Sequence, residues 1–503
     1  MEAKVAELRT RLQDISDIGG AISILRWDQY SYMPKGGAAS RARQVAALAR
    51  IAHGLQTAPR LGELLSELAA EVATRPAEDE LRGIVLEAKR DYDRGVRVPE
   101  RFVVERSAHT AAAYEAWCGA REANDYRVAE PFLHRSVELS REYSSFFPEF
   151  KHPADIHIDD SEPGMTAELL RTLFAELRAQ LVPIVETLCA CAPPADDFLF
   201  RHFPSADQVA FGLDVIRRFG FDFDRGRQDF SPHPYSTTIS LGDVRITTNI
   251  NEHDLMDGLS STLHESGHGM YQQGIRPVFD GTPLSYGAST GVHESQARLW
   301  ENLVGRSREF WTYYFPKLAD TFPGQLGGVS LEQLVRAINV VRRSKVRTNA
   351  DEVTYNLHVV IRFDLELALM TGELSTADLA EAWRERYRAD LGITDLTDKE
   401  AVLQDVHWYD GLLGGSFHGY AIGNVLAAQF FDAALAACPD IPAEIAAGRF
   451  AALHGWLRDN IYQHGKMFTP AELAMRATGK PMSVEPFIRY LRAKYGRLYG
   501  VAL

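Results

Sequence analysis

Cysteine is scarce in this sequence, in which Cys118, Cys189, Cys191 and Cys438 are the only thiols among 503 residues. Four cysteines are too few for a disulfide framework in a chain of this length, and their spacing does not match a zinc-thiolate site. Disulfide-rich and cysteine-ligated scaffolds are therefore excluded. We expect Cys189 and Cys191 to be buried, because a free cysteine packs as a small apolar residue.

Positive charge is also in deficit, since the formal net charge is -14. Such a chain repels phosphate backbones and anionic lipid headgroups. No continuous apolar run reaches the ~18 residues of a membrane span, and the first residues, MEAKVAELRTRLQD, lack the basic and apolar regions of a secretory signal. We therefore expect a soluble, cytoplasmic protein that binds neither nucleic acid nor membranes.

Apolar residues at helical spacing fill most of the chain, and glycine and proline fall mainly at the joints between these runs. The pattern predicts a mainly α fold with early helices at Val5–Asp28, Ala39–His53, Glu78–Tyr92, Glu100–Asn124, Pro131–Phe147, Thr166–Cys191 and Ser205–Phe219. One β-hairpin is predicted at Tyr235–Ile250, where β-branched residues flank a Gly242-Asp243 turn. Because no repeat or linker separates a module, residues 1–503 are predicted to form one unit, with a helical lobe at about 1–220 and the chemistry at about 230–425.

The strongest chemical signal is the sequence HESGH at residues 264 to 268. On a helix, His264 and His268 project from one face about one turn apart and can grip one metal ion. Glu265 lies beside them and can take a proton from a water on that ion. The helix is predicted to run from an N-cap at Asn251 to Gln273, and the glycines at 267 and 269 indicate that something approaches its backbone closely.

A third metal ligand is expected from the following helix, which is predicted to begin after a cap at Thr290 and to continue to Arg306. Glu294, in the sequence HESQ, is the candidate, because the stretch between it and His268 allows a loop and a returning helix. Two histidines and one carboxylate with an open coordination position are typical of catalytic zinc, although cobalt and manganese accept the same ligands. We therefore predict one zinc ion per chain.

Several separate motifs resemble those of the thermostable carboxypeptidase family, also called carboxypeptidase Taq, of zinc metallopeptidases. Besides HESGH and HESQ, they are Asp243-Val-Arg245-Ile-Thr247, matching DxRxT, His233-Pro234-Tyr235, close to His-Pro-Phe, Gln404-Asp405-Val-His407-Trp408, matching QDxHW, and the early Trp27-Asp28-Gln29. The sequence departs from the family pattern at Ala401, where glycine is usual, and in the loop YDGLLGGSFHGYAIG after the tryptophan.

The resemblance implies an elongated, almost all-helical protein with a deep groove, a homodimer, and removal of single residues from peptide carboxyl termini with broad preference. Asp243, Arg245 and Thr247 alternate along one strand and would form a polar wall that closes the far end of the groove. The phenol of Tyr420 would stabilise the oxyanion of the reaction.

An exopeptidase must bind the free carboxylate of its substrate, which arginine does through two parallel hydrogen bonds. Arg362 is the candidate, because it shares one face of an otherwise apolar helix with Tyr355 and His358, as expected for a face that lines a wet groove. The alternative is a structural Arg362 that pairs with Glu366. His407 would line the same groove.

Two other functions stay open on the sequence alone. The same metal chemistry would serve a zinc oligoendopeptidase or a dipeptidyl carboxypeptidase, and a non-catalytic helical protein could retain a metal site. The products formed from a peptide and from its carboxyl-amidated form separate the first alternative, and a Glu265→Gln variant tests the second.

Overall fold

Helices dominate the computed structural model, which describes residues 1–503. The amino-terminal part contains α1 (Glu2–Ser31), α2 (Ala38–Gln56), α3 (Pro59–Val72), α4 (Glu80–Arg97), α5 (Glu100–Ala123), α6 (Glu130–Ser145), α7 (Asp155–Ser161), α8 (Ala167–Cys189) and α9 (Ser205–Phe219). Every predicted early helix is present, while α3 and α7 are additional. The mainly α fold is confirmed.

The remainder of the chain is also helical and ends with a long amphipathic helix. It contains α10 (Leu255–Gly274), α11 (Thr290–Arg298), α12 (Arg308–Thr321), α13 (Pro323–Leu326), α14 (Leu331–Ala337), α15 (Tyr355–Thr371), α16 (Leu379–Leu391), α17 (His418–Ala437), α18 (Ile441–Ala446), α19 (Ala451–Asn460), α20 (Pro470–Thr478) and α21 (Glu485–Tyr499). Capping boxes at Ser330 and Thr469 start α14 and α20 by satisfying their first N–H groups. A π-helical turn over Leu299–Val304 continues α11.

A small three-stranded sheet consists of β1 (Gly226–Phe230), β2 (Ser236–Ser240) and β3 (Asp243–Thr248), in the order β1-β3-β2. β2 and β3 form the predicted antiparallel hairpin, and β1 pairs with β3 in parallel. The sequence does not indicate β1, because GRQDF lacks an alternating apolar pattern. Gly226 is required at its start, since a Cβ there would lie 2.4 Å from the carbonyl oxygen of Val244.

One large and two smaller apolar cores hold the molecule together. The large core joins the helices from α5 to α21, and one smaller core joins α1, α3 and α4 to Leu241, Ile275, Phe279 and Leu284. The other smaller core lies between α5, α6 and α7. α1 also packs on β2, where a Cβ at Gly20 would lie 2.6 Å from a backbone carbonyl oxygen. These contacts fix α1 and the sheet beside α10.

α17 is long and apolar enough to cross a membrane by length and composition. However, 61% of its most apolar window is buried inside the protein, against α11, α15, α20 and α21. An apolar helix enclosed by other helices is typical of a protein core.

The cysteines correct one expectation from the sequence. Cys189 and Cys191 are half-buried rather than buried, and Cys118 is exposed. All four cysteines are free, in agreement with the exclusion of a disulfide framework.

Candidate active site

α10 carries the HESGH residues and begins at Asp254. The Asp254 carboxylate accepts hydrogen bonds from the backbone N–H groups of Met256 (3.0 Å) and Asp257 (3.3 Å). The predicted N-cap at Asn251 is wrong, because the carbonyl oxygen of Asn251 accepts from the N–H of Asp254 (3.1 Å) in a turn that precedes the helix. The helix ends at Gly274, close to its predicted end.

The side chains of His264, His268 and Glu294 converge between α10 and α11, with their candidate ligand atoms within 4.8 Å of one another. The Nε2 atoms of His264 and His268 lie 3.7 Å and 3.5 Å from Oε2 of Glu294. Ligand atoms around a tetrahedral ion with bonds of ~2.0–2.1 Å lie ~3.3 Å apart. A small closure of these three side chains therefore accommodates one divalent ion, and the donor set fits the predicted metal.

Each histidine has a partner on its other ring nitrogen. Nδ1 of His264 lies 2.9 Å from Oε2 of Glu301, and Nδ1 of His268 lies 3.1 Å from the carbonyl oxygen of His293. Partners of this kind fix the tautomer that carries its proton on Nδ1, which leaves the lone pair of Nε2 free to bind a metal. No local sequence pattern indicates these contacts of Glu301 and His293, because only the folded chain brings them to the imidazoles.

The charges around the cluster favour a cation. Burial lowers the pKa of His264, but Glu294 and Glu301 outweigh it and raise this pKa to about 9. Burial raises the pKa of Glu294, but the guanidinium of Arg298 and the two histidines hold it well below its usual range. Nε of Arg298 donates to Oε1 of Glu294 at 2.7 Å, which leaves Oε2 for the histidine side. The field that holds a proton on His264 also attracts a divalent cation.

Glycines let α11 pack closely against α10 and α17. A Cβ at Gly267 would lie 2.5 Å from the carbonyl oxygen of Gln296, and one at Gly423 would lie 2.4 Å from Cγ of Glu294. The close approach expected at residue 267 is confirmed, and its partner is the backbone of α11. The position of Glu294 thus depends on a glycine of a third helix.

The start of α11 differs from the prediction. Its cap is Ser289, whose hydroxyl accepts from the N–H of Val292 at 3.0 Å, and not Thr290, which is the first helical residue. A completely buried carboxylate, Glu162, accepts a further hydrogen bond from the N–H of Gly291. Both contacts satisfy N–H groups that the helix itself leaves free.

Glu265 projects from α10 next to the ligand cluster. Its side chain is buried, and Oε2 has no hydrogen-bond partner. Burial raises the pKa of Glu265, and the opposing effects of His264 and His268 do not overcome it. A carboxylate with one free oxygen beside a metal cluster is suited to accept a proton from water.

The polar face predicted on α15 does not line a wet groove. Arg362 and His358 are completely buried, and Tyr355 is only 5% exposed. Nε of Arg362 donates to Oδ2 of Asp405 at 2.6 Å, and Nη1 donates to the carbonyl oxygen of His358 at 2.7 Å. The pairing of Arg362 with Glu366 considered from the sequence is also wrong, because its carboxylate partner is Asp405. Arg362 and His358 therefore lie inside the protein rather than on an exposed face of α15.

Arg347, in the loop before α15, is also buried (6% exposed) and shares its carboxylate partner with Arg362. Its Nη2 donates to Oδ1 of Asp405 at 2.7 Å, and its Cζ lies 5.0 Å from the ring centroid of Tyr420. Burial lowers the pKa of His233, and the positive charges of Arg347 and His264 lower it further. The only sequence signal for Arg347 is its position in a loop between helices, where functional residues concentrate.

Tyr420 and His407 form a polar pair beside Arg347. Nε2 of His407 lies 3.1 Å from the Tyr420 hydroxyl. Burial raises the pKa of Tyr420 in spite of Arg347, so the phenol keeps its proton. Burial also lowers the pKa of His407 to about 4, although Asp405 opposes this effect, so the imidazole is neutral. The pair therefore offers a neutral phenolic donor.

The three residues of the DxRxT motif on β3 have different environments. Arg245 donates to both carboxylate oxygens of Asp243 (2.9 and 2.7 Å), and its Cζ lies 4.4 Å from the ring centroid of Trp27. Thr247 is completely buried, with its hydroxyl 2.7 Å from that of Ser231. Thr247 therefore does not present its side chain in the expected polar wall, whereas Asp243 and Arg245 are partly exposed.

A mainly helical protein in which an HExxH helix and a glutamate from the next helix converge belongs to the class of metallopeptidases. Comparison with known proteins agrees with this class. The family described as "Carboxypeptidase Taq (M32) metallopeptidase" matches residues 7–495.

Individual relatives match over nearly their whole length. The chain is 41% identical over 488 residues to Thermostable carboxypeptidase 1 of Thermus thermophilus, covering 95% of each chain. It is 37% identical over 489 residues to Carboxypeptidase 1 of Bacillus subtilis, covering 97% of each. The crystal structure of the M32 carboxypeptidase from Deinococcus radiodurans R1 matches with a TM-score of 0.96 at 49% identity, covering 99% of this chain and 100% of that chain. The chain belongs to the carboxypeptidase Taq (M32) family.

Membership in this family defines the broad activity. The protein is a metallocarboxypeptidase, a hydrolase that acts on peptides and uses a divalent metal.

Proposed function

We propose that this metallocarboxypeptidase uses zinc and removes single amino acids from peptide carboxyl termini with broad preference. The observation that carries this proposal is the convergence of His264, His268 and Glu294 next to the unpartnered oxygen of Glu265. Two imidazoles and one carboxylate suit zinc, and cobalt or manganese would accept the same ligands. When bound, the ion supplies Lewis acidity toward water and the scissile carbonyl.

Glu265 acts as the general base in this proposal. Its free Oε2 accepts a proton from the attacking water, and the proton then passes to the amine that leaves. Burial, which raises the pKa of Glu265, makes the carboxylate a stronger proton acceptor than an exposed glutamate. The same residue therefore serves both proton transfers.

Tyr420 donates a hydrogen bond to the oxygen that gains negative charge as the carbonyl is attacked. Its phenol is protonated, and the 3.1 Å contact with His407 holds it in place. A fixed donor is most effective in a buried site, because it needs no reorganisation when the charge develops.

Arg347 binds the terminal carboxylate of the peptide. It shares the carboxylate of Asp405 with Arg362, at 2.7 Å and 2.6 Å respectively. Two guanidinium groups and one carboxylate leave a positive charge in excess, and Cζ of Arg347 lies 5.0 Å from the ring centroid of Tyr420, the proposed oxyanion donor. An excess of positive charge on a planar donor group suits recognition of a free carboxylate.

A defined peptide and its carboxyl-amidated form test this function. We expect stepwise loss of single residues from the free peptide and no cleavage of the amide, because the amide lacks the charge that Arg347 binds. Internal fragments from both peptides would indicate a zinc oligoendopeptidase, and release of dipeptides would indicate a dipeptidyl carboxypeptidase. Metal analysis of the purified protein identifies the ion.

The family resemblance further supports a cytoplasmic homodimer in which residues 1–503 form one catalytic unit, with a groove that Asp243 and Arg245 close. Light scattering tests the assembly, since a homodimer has twice the mass of the chain. Limited proteolysis tests the single unit, because a separate amino-terminal lobe would be released as a stable fragment.

A further inference from the structure

The segment that carries Arg347 is a long connection between α14 and α15. Apart from a short 3-10 turn at Arg347–Asn349, residues 338–354 have no regular secondary structure. Long irregular connections in compact proteins are uncommon and are often functional. A residue in such a segment keeps a fixed position only if contacts from elsewhere hold the segment.

Both ends of this segment are bound to α21, the last helix of the chain. At one end, the backbone N–H of Val341 donates to the hydroxyl of Tyr499 at 2.8 Å. At the other end, the carboxylate of Glu352 accepts hydrogen bonds from the hydroxyl groups of Tyr495 (2.7 Å) and Tyr490 (3.1 Å) and from the ammonium of Lys494. We name these contacts the α21 clamp.

The contacts at Glu352 continue directly to Arg347. Glu352 lies in the turn before α15, and the neighbouring Asp351 holds that turn by accepting from the N–H groups of Val353 (2.9 Å) and Thr354 (3.0 Å). The next residue, Tyr355, is the first of α15, and its hydroxyl accepts from Nη1 of Arg347 at 2.8 Å. A shift of the turn would therefore move a direct partner of the guanidinium.

The chemistry of the clamp indicates a geometric role. The side chains of Lys494 and Glu352 are only 12% and 1% exposed. Removing both charges from water costs free energy that their attraction does not reliably return, and well-packed apolar residues often stabilise a protein at least as well. A buried pair that is held by two tyrosine hydroxyls fixes one arrangement of the groups, which an apolar contact does not.

We infer that the α21 clamp positions Arg347. Lys494 and Glu352 thereby control recognition of the substrate carboxylate, although both lie outside the active site. The inference rests on the proposed role of Arg347. Lys494 and Glu352 are positioning residues, because neither contacts the active site.

The test uses Lys494→Met and Glu352→Gln in the full-length, metal-loaded protein, with Arg492→Met as the control. Arg492 lies on the same helix but is exposed. For a peptide with a free carboxyl terminus, we expect KM to rise about tenfold in both variants, the scale of one misplaced charged hydrogen bond, while kcat and metal content stay near wild type. The control keeps the wild-type KM.

Tyr499→Phe is a milder variant in case the others fail to fold, because it removes only the hydroxyl that holds Val341. We expect a smaller rise of KM with the same kcat. A double variant, Lys494→Met with Arg347→Met, should raise KM no further than Arg347→Met alone, because the clamp acts only through the arginine.

Failure of the proposed role of Arg347 and failure of the α21 clamp give different results. If Arg347→Met leaves KM unchanged, the proposed role of Arg347 fails. If Arg347→Met raises KM but folded Lys494→Met and Tyr499→Phe lose only thermal stability, the clamp is refuted while the function of Arg347 stands. The α21 clamp is also refuted if its variants lose kcat and bound metal to the same extent, because such losses indicate general damage to the active site.

Discussion

Glu265 combines burial with an unpartnered Oε2 next to His264 and His268. These properties separate it from the other acidic residues nearby. Burial raises the pKa values of Glu294 and Glu301, but Arg298 and His264 outweigh burial and lower both pKa values. Carboxylates with depressed pKa values are good ligands and orienting groups, whereas a raised pKa suits proton transfer. The surroundings of the three glutamates therefore favour different roles.

Replacing Glu265 with glutamine tests its proposed role. Because glutamine cannot accept the proton, we expect kcat to fall by about a hundredfold or more, with the metal retained. Steady-state kinetics and metal analysis measure both quantities. Glu385→Gln, at an exposed position on α16, is the matched control. Wild-type turnover in Glu265→Gln would exclude it as the base.

Glu366 provides a prediction about pH and stability. Its Oε1 accepts hydrogen bonds from Nε1 of Trp408 (2.9 Å) and the N–H of Gly414 (3.2 Å), and burial raises its pKa to about 7 in spite of them. In the unfolded chain this pKa is about 4.3, so the folded state binds more protons between these values. The free energy of unfolding therefore falls as the pH rises through this window.

Glu366→Gln keeps an acceptor oxygen but removes the titration. Relative to wild type, we expect the variant to gain stability between pH 5 and pH 8, by up to about 3 kcal/mol. Urea unfolding at several pH values measures the difference, and Glu385→Gln again serves as control. If the difference between the two proteins is independent of pH, Glu366 is not the titrating group.

Three helices meet where Glu294 is held, and glycine determines how closely they approach. α11 contacts α10 through Gly267 and α17 through Gly423. The π-helical turn after α11 then carries Glu301, which contacts His264 at 2.9 Å. Such π-helical turns are often found at functional sites, because they alter which side chains share a face.

Gly423→Ala tests the packing of these helices. The added Cβ would lie 2.4 Å from Cγ of Glu294, so the glutamate or its helix must move. We expect weaker metal binding and lower activity in a protein that still folds. Gly455→Ala in α19 is the matched control, because a Cβ there meets nothing within 4 Å and alanine favours the helix by about 1 kcal/mol. Unchanged metal affinity in Gly423→Ala would contradict this account of the packing.

For the molecule as a whole, the metal cluster joins α10 and α11, two helices of the large apolar core. A ligand that binds only the folded state stabilises it in proportion to the logarithm of its concentration relative to Kd. Chelation should therefore lower Tm in the wild type. We expect no such shift in His264→Ala, which has lost a ligand, and calorimetry with and without chelator makes the comparison. An equal chelator effect on both proteins would place the stabilising metal elsewhere.

The sequence predicted the fold class, the β-hairpin and most helices, because these depend on local periodicity and turn residues. It was less accurate for helix starts: Asp254 and Ser289 cap the two site helices instead of Asn251 and Thr290. Several neighbouring residues can accept from the first N–H groups, and packing selects among them. β1 was missed because its pairing with β3 depends on the rest of the chain.

By itself, the sequence indicated the candidate ligand pair and the candidate base, since a spacing of four residues on a helix already places His264 and His268 on one face with Glu265 beside them. Only the tertiary structure decided that Arg362 is completely buried and that Arg362 and Arg347 share the carboxylate of Asp405. Burial and charge pairing join residues far apart in the chain, and no local pattern records which carboxylate an arginine will meet. For the same reason, the contacts between α21 and the Arg347 segment became visible only in the folded molecule.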